Sequence, residues 1–102
     1  MTRYARRVDA NHGEIRQGLR DMGWDVLDLS GAGDGIPDLC VYIAAGIPHF
    51  LELKDGDKPL SAQALTKAQE KWHAYCWQVT SKVRSLPEAI EALEHAKARA
   101  KG

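Results

Sequence analysis

The sequence predicts an α/β fold in which a mixed sheet is flanked by helices. Two observations support this class. Apolar residues at helical spacing alternate along the chain with short, strongly apolar runs of strand length. Each predicted helix also follows an Asn, Thr or Ser that has Glu or Gln three residues later, the pattern of a capping box. The expected order is helix, three strands, helix, strand, helix, and the 102 residues form one domain.

The chain begins with a basic arm at residues 1–10, which carries Arg3, Arg6 and Arg7. No apolar stretch follows these arginines, so the arm does not have the form of a secretory signal. No apolar run reaches the ~20 residues that a membrane-spanning helix needs. The two cysteines lie far apart in the chain, which favours a reducing compartment, and we expect a cytoplasmic location.

Residues 11–22 are predicted to form the first helix. Ile15 and Leu19 lie at helical spacing, and the glycine after residue 22 ends the pattern. Asn11 is a favourable N-cap, and Glu14, three residues later, can complete a capping box. Glu14 therefore has a structural explanation as well as any functional one.

Three strands follow, separated by loops of different kinds. Residues 24–29 form a short apolar run, and residues 39–44 form a nearly continuous one, typical of a strand buried on both faces. Between them, residues 30–35 are rich in glycine, but no Gly-Lys-Ser/Thr follows as a phosphate-binding P-loop requires. This loop allows the backbone to approach another segment closely. Residues 45–48 predict a turn into the third strand at residues 49–54.

The second half of the chain predicts a helix, a strand and a final helix. Thr66 and Gln69 match a capping box at the start of the helix, and residues 78–83 predict the fourth strand. A second box at residues 85–88, with proline in the first turn, starts the last helix. The end of the chain is rich in Ala, Lys and Arg, and we expect residues 96–102 to be a frayed basic tail.

The second and third strands are expected to pair as an antiparallel hairpin about Gly46. In that register Asp38 faces Lys54, and Glu52 lies one step further in. Successive side chains of a strand point to opposite faces, so these three even-numbered residues share one face. Two carboxylates and an ammonium gathered at one end of a hairpin are suited to bind a divalent cation and to position a water.

Simpler explanations exist for each of these residues. Asp38 follows Pro37 and can be an ordinary residue at the start of a strand. Glu52 and Lys54 can form an exposed pair of opposite charges. That explanation fits Glu52 poorly, because it stands between two leucines in an apolar strand, where an unpaired buried carboxylate is costly.

The charges are unevenly distributed although the formal net charge is zero. An acidic centre, from Asp21 to Asp57, is flanked by segments rich in Arg and Lys. Such a distribution suits a metal site beside a polyanion. Ordinary solvated charges on the surface would give the same distribution, so it does not decide between the two.

The residues at the hairpin resemble a known nuclease signature. Pro37-Asp38, an apolar strand and then Glu52-Leu53-Lys54 are similar to the PD-(D/E)xK signature of the restriction-endonuclease-like nucleases. Glu14 in a preceding helix, Gly35 before the Pro-Asp pair and the Leu65–Gln69 helix start add to the resemblance. Together they resemble the virus-type replication-repair nuclease (VRR-NUC) domain, in its stand-alone, phage-like form, along nearly the whole chain.

The resemblance implies a restriction-endonuclease-like αβββαβ core and a Mg²⁺ or Mn²⁺ ion as cofactor. Asp38 and Glu52 would be metal ligands, with the backbone carbonyl of Leu53 as a third. Glu14 would bind the metal directly or through a water. Hard cations of this kind prefer carboxylate, carbonyl and water oxygens.

Lys54 and Gln69 would complete the catalytic site. Lys54 would orient the attacking water or offset the charge that develops on the phosphate. The neighbouring Asp38 and Glu52 favour its charged form, so we expect an electrostatic role. Gln69 stands at a family position that would contact the attacking water or the region of Lys54. For Glu14 and Gln69, a purely capping role remains the alternative.

The implied function is a metal-dependent endonuclease that hydrolyses DNA, selective for branched substrates such as four-way junctions, in a bacterial or phage-infected cell. Symmetric cutting of two strands needs two sites, which a two-fold homodimer supplies. The alternatives are a nicking, flap or tRNA-intron-type endonuclease and a non-catalytic nucleic-acid-binding module. The basic residues expected to contact phosphates are Arg3, Arg6, Arg7, Arg16, Lys58, Lys67 and Lys71.

Overall fold

The computed structural model describes residues 11–101, which form a four-stranded sheet flanked by helices. The helices are α1 (His12–Asp21), α2 (Leu60–Gln63), α3 (Lys67–Cys76) and α4 (Leu86–Lys101). The strands are β1 (Asp25–Asp28), β2 (Leu39–Ala44), β3 (Ile47–Leu53) and β4 (Thr80–Val83). The predicted α/β class and the order of its main elements are confirmed, with α2 as a short addition before α3.

The sheet is mixed, as predicted. Its strands lie in the order β1-β2-β3-β4, and β2 is antiparallel to both of its neighbours. The third strand pair, β3 with β4, is parallel and therefore needs a crossover connection. α2 and α3 make that crossover, so α3 is carried across one face of the sheet.

The opposite face of the sheet packs against α1 and α4 and forms the apolar core. Leu39, Val41 and Leu51 project from this face and are fully buried with Ile15 of α1 and Leu93 of α4. Alternation along the strands sends the neighbouring side chains to the α3 side. The even-numbered residues of the predicted site consequently lie on the α3 side.

The hairpin between β2 and β3 differs in register from the prediction. Its turn consists of two residues, Ala45 and Gly46, and β2 carries one extra residue between Tyr42 and Ala44. Gly46 has a φ of 75°, in the left-handed region that glycine adopts readily in a short turn. The predicted register was centred on Gly46 and included neither the two-residue turn nor the bulge. It therefore paired each residue of β2 from Leu39 to Tyr42 with a residue of β3 two positions beyond its observed partner.

The new register changes which site residues face each other. Leu39 pairs with Leu51, so the preceding residue, Asp38, comes level with Glu52 and not with Lys54. The displacement is an even number of residues, and each side chain therefore keeps its predicted face. The two carboxylates are neighbours across the hairpin, and Lys54 lies beyond them at its end.

The C-terminal helix is longer than the sequence prediction. α4 continues to Lys101, and Ala96 is buried in the core, so residues 96–101 are helical where fraying was expected. Alanine favours a helix, and the core contact of Ala96 holds this turn in place. β4 also begins later than predicted, because Trp77–Val79 form a 3₁₀ turn after α3.

The predicted basic arm at residues 1–10, with Arg3, Arg6 and Arg7, lies outside the described residues. Within residues 11–101, each helix is too short or too polar to cross a membrane.

Candidate active site

Two carboxylates are buried side by side where β2 begins and β3 ends. Asp38 is 8% exposed and Glu52 is 3% exposed. The carbonyl of Asp38 accepts a hydrogen bond from the backbone N–H of Leu29 over 2.7 Å. Its Oδ2 accepts a second bond, over 2.8 Å, from the backbone N–H of Leu53. Asp38 is therefore fixed to both neighbouring strands and is more than an ordinary strand-start residue.

Lys54 follows the carboxylates at the end of β3 and is also buried, at 8% exposure. Its Nζ donates to Oε1 of Gln69 over 2.9 Å, and its backbone N–H donates to the carbonyl of Val83 over the same distance. The alternative of an exposed charge pair with Glu52 is wrong, because both residues are inside the protein. A buried ammonium held by a neutral amide is positioned for a partner that carries negative charge.

Gln69 connects the lysine to the acidic side of the site. Its Nε2 donates to Oε2 of Glu52 over 3.1 Å, while its Oε1 accepts from Lys54. The same Oε1 accepts the backbone N–H of Thr66 over 2.9 Å, and Oγ1 of Thr66 accepts the N–H of Gln69 over 3.2 Å. The predicted capping box is confirmed, and the same side chain contacts Lys54 and Glu52, so a capping role does not exclude a role in the site.

α3 is held on the sheet by contacts on either side of Gln69. Trp72 packs edge-on against Phe50 with ring centroids 5.2 Å apart, and its indole N–H donates to Oγ1 of Thr80 over 2.9 Å. Gly35 meets the first turn of α3, since a Cβ there would lie 2.3 Å from the carbonyl oxygen of Ala68. The glycine-rich loop therefore approaches another backbone closely, as predicted, and it does so beside the site.

Asn11 does not cap α1, so the capping box predicted for Asn11 and Glu14 is wrong. Its backbone is itself helical, at φ −84° and ψ −1°, and its side chain makes no cap bond. Instead, its Nδ2 donates to the carbonyl of Lys54 over 3.1 Å and to that of Arg84 over 2.9 Å. Asn11 thus ties the start of α1 to the ends of β3 and β4.

Glu14 is exposed on α1 and makes no cap bond with Asn11. It lines a shallow depression together with Asp55, Asp57 and Arg84. Among residues 11–101, no group of three or more His, Cys, Asp or Glu side chains is arranged to hold a metal ion. Glu14 is therefore the one predicted catalytic residue that the structure does not bring into the hydrogen-bonded network of the site.

The donor chemistry of the network fits a hard divalent cation. Asp38 and Glu52 supply carboxylate oxygens, the ligands that Mg²⁺ and Mn²⁺ prefer. The N–H of Leu53 points to Asp38, and the N–H and C=O of a strand residue point the same way. The carbonyl of Leu53 is directed to the same side as Asp38. A cation that keeps several waters needs no further side chain from the protein.

A second polar cluster, which the sequence prediction missed, supports the site from the β1 side. Arg16 Nη1 donates to Oδ2 of Asp28 over 2.6 Å, and His12 Nε2 lies 3.3 Å from the same oxygen. The backbone N–H of Ser30 donates to Oδ1 of Asp28 over 2.9 Å. Asp28 directly precedes Leu29, which binds the backbone of Asp38, so this cluster helps to position the start of β2.

Ionisation of Asp28 is favoured in this cluster. Partial burial raises the pKa of Asp28, but hydrogen bonds from Ser30, Arg16 and His12 more than offset this and hold it well below its usual range. Arg16, predicted as a phosphate contact, is engaged in this ion pair. Asp28 is 12 positions from Arg16 and 16 positions from His12 in the chain, and no local pattern in the sequence signals contacts at such separations.

His73 lies one turn after Gln69 on α3. Its Nε2 is buried and, among the described residues, has no hydrogen-bond partner. Burial, and then the charges of Lys82 and Lys54, lower the pKa of His73. The lowered pKa favours the neutral form of the ring.

Within residues 11–101, the three lysines predicted as phosphate contacts are on the surface. Lys58 lies in the turn after β3, and Lys67 and Lys71 lie on α3; all three are exposed. Two of the three therefore lie on the helix that also carries Gln69.

Comparison of the chain with models of protein families, with curated proteins and with solved structures found no match. The case for a function consequently depends on the residues and the geometry described above.

Proposed function

We propose that the protein is a metal-dependent endonuclease that hydrolyses phosphodiesters in DNA. The observation that carries this proposal is the buried group of Asp38, Glu52 and Lys54, joined by Gln69 at one end of the hairpin. Two neighbouring carboxylates with little exposure repel each other, and a divalent cation between them offsets that cost. An ammonium beside them is then available for a phosphate.

The residues take distinct roles in this reaction. Asp38 and Glu52, with the Leu53 carbonyl, would hold Mg²⁺ or Mn²⁺. When bound, the metal supplies Lewis-acid stabilisation of the phosphate and lowers the pKa of a bound water. Lys54 stabilises negative charge on the phosphate, and its bond to Gln69 keeps the ammonium in place. Glu14 is assigned a contact through water, on the resemblance alone.

Branched DNA is the proposed substrate, and a homodimer is the proposed active form. Both follow from the resemblance to stand-alone VRR-NUC domains and from the need for two sites to cut two strands symmetrically. The proposed place of action is the cytoplasm of a bacterial or phage-infected cell. Exposed Lys58, Lys67 and Lys71 would contact phosphates, as would the arginines of residues 1–10.

Cleavage assays test the proposal. The purified chain is incubated with Mg²⁺ or Mn²⁺ and end-labelled DNA in three forms: a four-way junction, a flap and a linear duplex. We expect metal-dependent cleavage, fastest on the junction. Lys54→Ala and Glu52→Gln are expected to lower the rate about 100-fold or more, because the first removes the charge that stabilises the phosphate and the second removes a metal ligand.

Two outcomes would contradict the proposal: no cleavage of any substrate with either metal, or Lys54→Ala cutting as fast as the wild type. Preference for the flap or for single nicks would point to the related nuclease alternative. A non-catalytic binding module would bind DNA without cutting it. The intact Asp38, Glu52 and Lys54 argue against that alternative.

A further inference from the structure

α3 has an anchored side and two exposed flanks. The anchored side carries Gln69 in the site and Trp72, which packs against Phe50. Gln69 lies in the first turn of α3, so this helix begins at the site and leads away from it. A DNA strand that extends from the site along α3 would therefore contact one of the exposed flanks of this helix.

One of these flanks combines positive charge with an exposed aromatic ring. Lys67, Lys71 and Tyr75 are spaced four residues apart, which places them along one side of the helix. We call these three residues the lysine flank. Both lysines are exposed, and Tyr75 is 81% exposed. Each step of four residues advances about 6 Å along the axis, so the ring follows the two ammonium groups away from the site.

The other flank differs in charge and in surroundings. It carries Glu70 and ends near Trp77, which is 67% exposed. Trp77 lines a depression with Ser81 and Arg99 at the edge of β4. The two exposed aromatic residues at the end of α3 therefore lie in different settings, and only Tyr75 continues a line of lysines.

We propose that the lysine flank binds a single-stranded segment of the DNA substrate, with phosphates on Lys67 and Lys71 and an unstacked base on Tyr75. This inference rests on the proposed nuclease function. Exposed aromatic rings beside cationic side chains are the means by which proteins hold single strands without reading their sequence. Among branched substrates, flaps and forks carry such an unpaired segment.

A second copy of the chain is a poorer occupant of this flank. A two-fold axis through it would bring the same surface of both copies together and oppose lysine to lysine. A fully paired duplex is also disfavoured, since its stacked bases offer no face to Tyr75. The charge and the exposed ring together select a polyanion with accessible bases.

Binding measured without metal tests the inference separately from cleavage. Fluorescence anisotropy in EDTA would compare a labelled flap that has a single-stranded arm with a duplex of equal length. We expect Tyr75→Ala to weaken binding of the flap about tenfold and to leave duplex binding nearly unchanged. Tyr75→Phe keeps the aromatic face and should bind like the wild type. Lys71→Ala should lower the salt dependence by about one phosphate contact.

Trp77→Ala is the matched control, since it removes another exposed aromatic ring, from the other flank, and should leave binding unchanged. Circular dichroism and thermal unfolding establish that each variant is folded. Equal effects of Tyr75→Ala and Trp77→Ala, equal losses for flap and duplex, or no DNA binding by the wild type would overturn the inference. Tyr75-dependent binding without any cleavage would support the flank and contradict the proposed hydrolysis, so the two failures are distinguishable.

Discussion

The starts of α1 and α3 have the same sequence pattern and different structures. Asn11 and Thr66 each precede a helix and have an acidic or amide residue three positions later. At α3, Thr66 and Gln69 exchange both bonds of a capping box. At α1, Asn11 makes no cap bond and binds the ends of two strands instead. The pattern therefore locates a helix start, while tertiary neighbours decide what the side chains bind.

The difference has a consequence for the site. At α3 the capping box fixes the amide of Gln69, because its Oε1 must face the N–H of Thr66. Its Nε2 is then left to donate to Glu52, and Oε1 also accepts from Lys54. A local interaction that stabilises a helix thereby sets the geometry of two charged residues on the sheet. α1 has no such link between its cap and its acidic residue.

The largest expected effect, a loss of DNA cleavage, comes from substitutions that separate the capping role of Gln69 from its contacts with Glu52 and Lys54. Gln69→Ala removes the bonds to Glu52 and Lys54, and we expect DNA cleavage to fall about 100-fold. Thr66→Ala removes a cap acceptor and should lower the free energy of unfolding by about 1 kcal/mol, with cleavage close to wild type. Urea denaturation and cleavage rates measured on the same preparations check both expectations.

Thr66→Ser serves as the control in this pair, because serine caps as well as threonine. If Thr66→Ala lost as much cleavage as Gln69→Ala, the cap rather than the contacts to Glu52 and Lys54 would be responsible. The distinct site role of Gln69 would then be rejected.

The fold class was predictable from the sequence because its signals are local. Periodicity, glycine positions and the Thr66–Gln69 box each depend on residues close together in the chain. The faces of Asp38, Glu52 and Lys54 were predictable as well, since a strand alternates with period two. The bulge beside Tyr42 and the short turn displaced the register by an even number of residues. Each side chain therefore kept its predicted face, although its partner on the facing strand changed.

Contacts between distant segments were not predictable in the same way. Asn11 meets the carbonyls of Lys54 and Arg84, which are 43 and 73 residues away. The ion pair of Arg16 with Asp28 likewise joins α1 to the end of β1. Each depends on how α1 packs across the strand ends, and no pattern within one element encodes that packing.

Asn11→Asp tests whether α1 is held by its cap or by its strands, with a smaller expected effect. Aspartate is as good an N-cap as asparagine, so a capping residue would tolerate the change. It cannot donate to the carbonyls of Lys54 and Arg84, and it brings a negative charge towards them. We expect the free energy of unfolding to fall by about 2 kcal/mol.

Urea denaturation at pH 7 measures this difference, with Asn11→Ala as the comparison. Alanine removes the two bonds without adding a charge, so it should destabilise no more than aspartate does. An unchanged midpoint for Asn11→Asp would mean that Asn11 caps α1 in solution, and the contrast between the two helix starts would disappear.

Glu14→Gln should have the smallest effect on stability and gives the sharpest test of its role. Glu14 is exposed and is not the partner of an N-cap, so the free energy of unfolding should change by less than about 0.5 kcal/mol. If it acts on the metal through water, cleavage should nevertheless fall about tenfold at low Mg²⁺ and recover partly as Mg²⁺ is raised. Asp57→Asn, in the same depression, is the control and should cut like the wild type. Equal cleavage by wild type and Glu14→Gln at every Mg²⁺ concentration would contradict a role of Glu14 at the metal. Since Glu14 does not take part in a capping box either, neither predicted role would then remain.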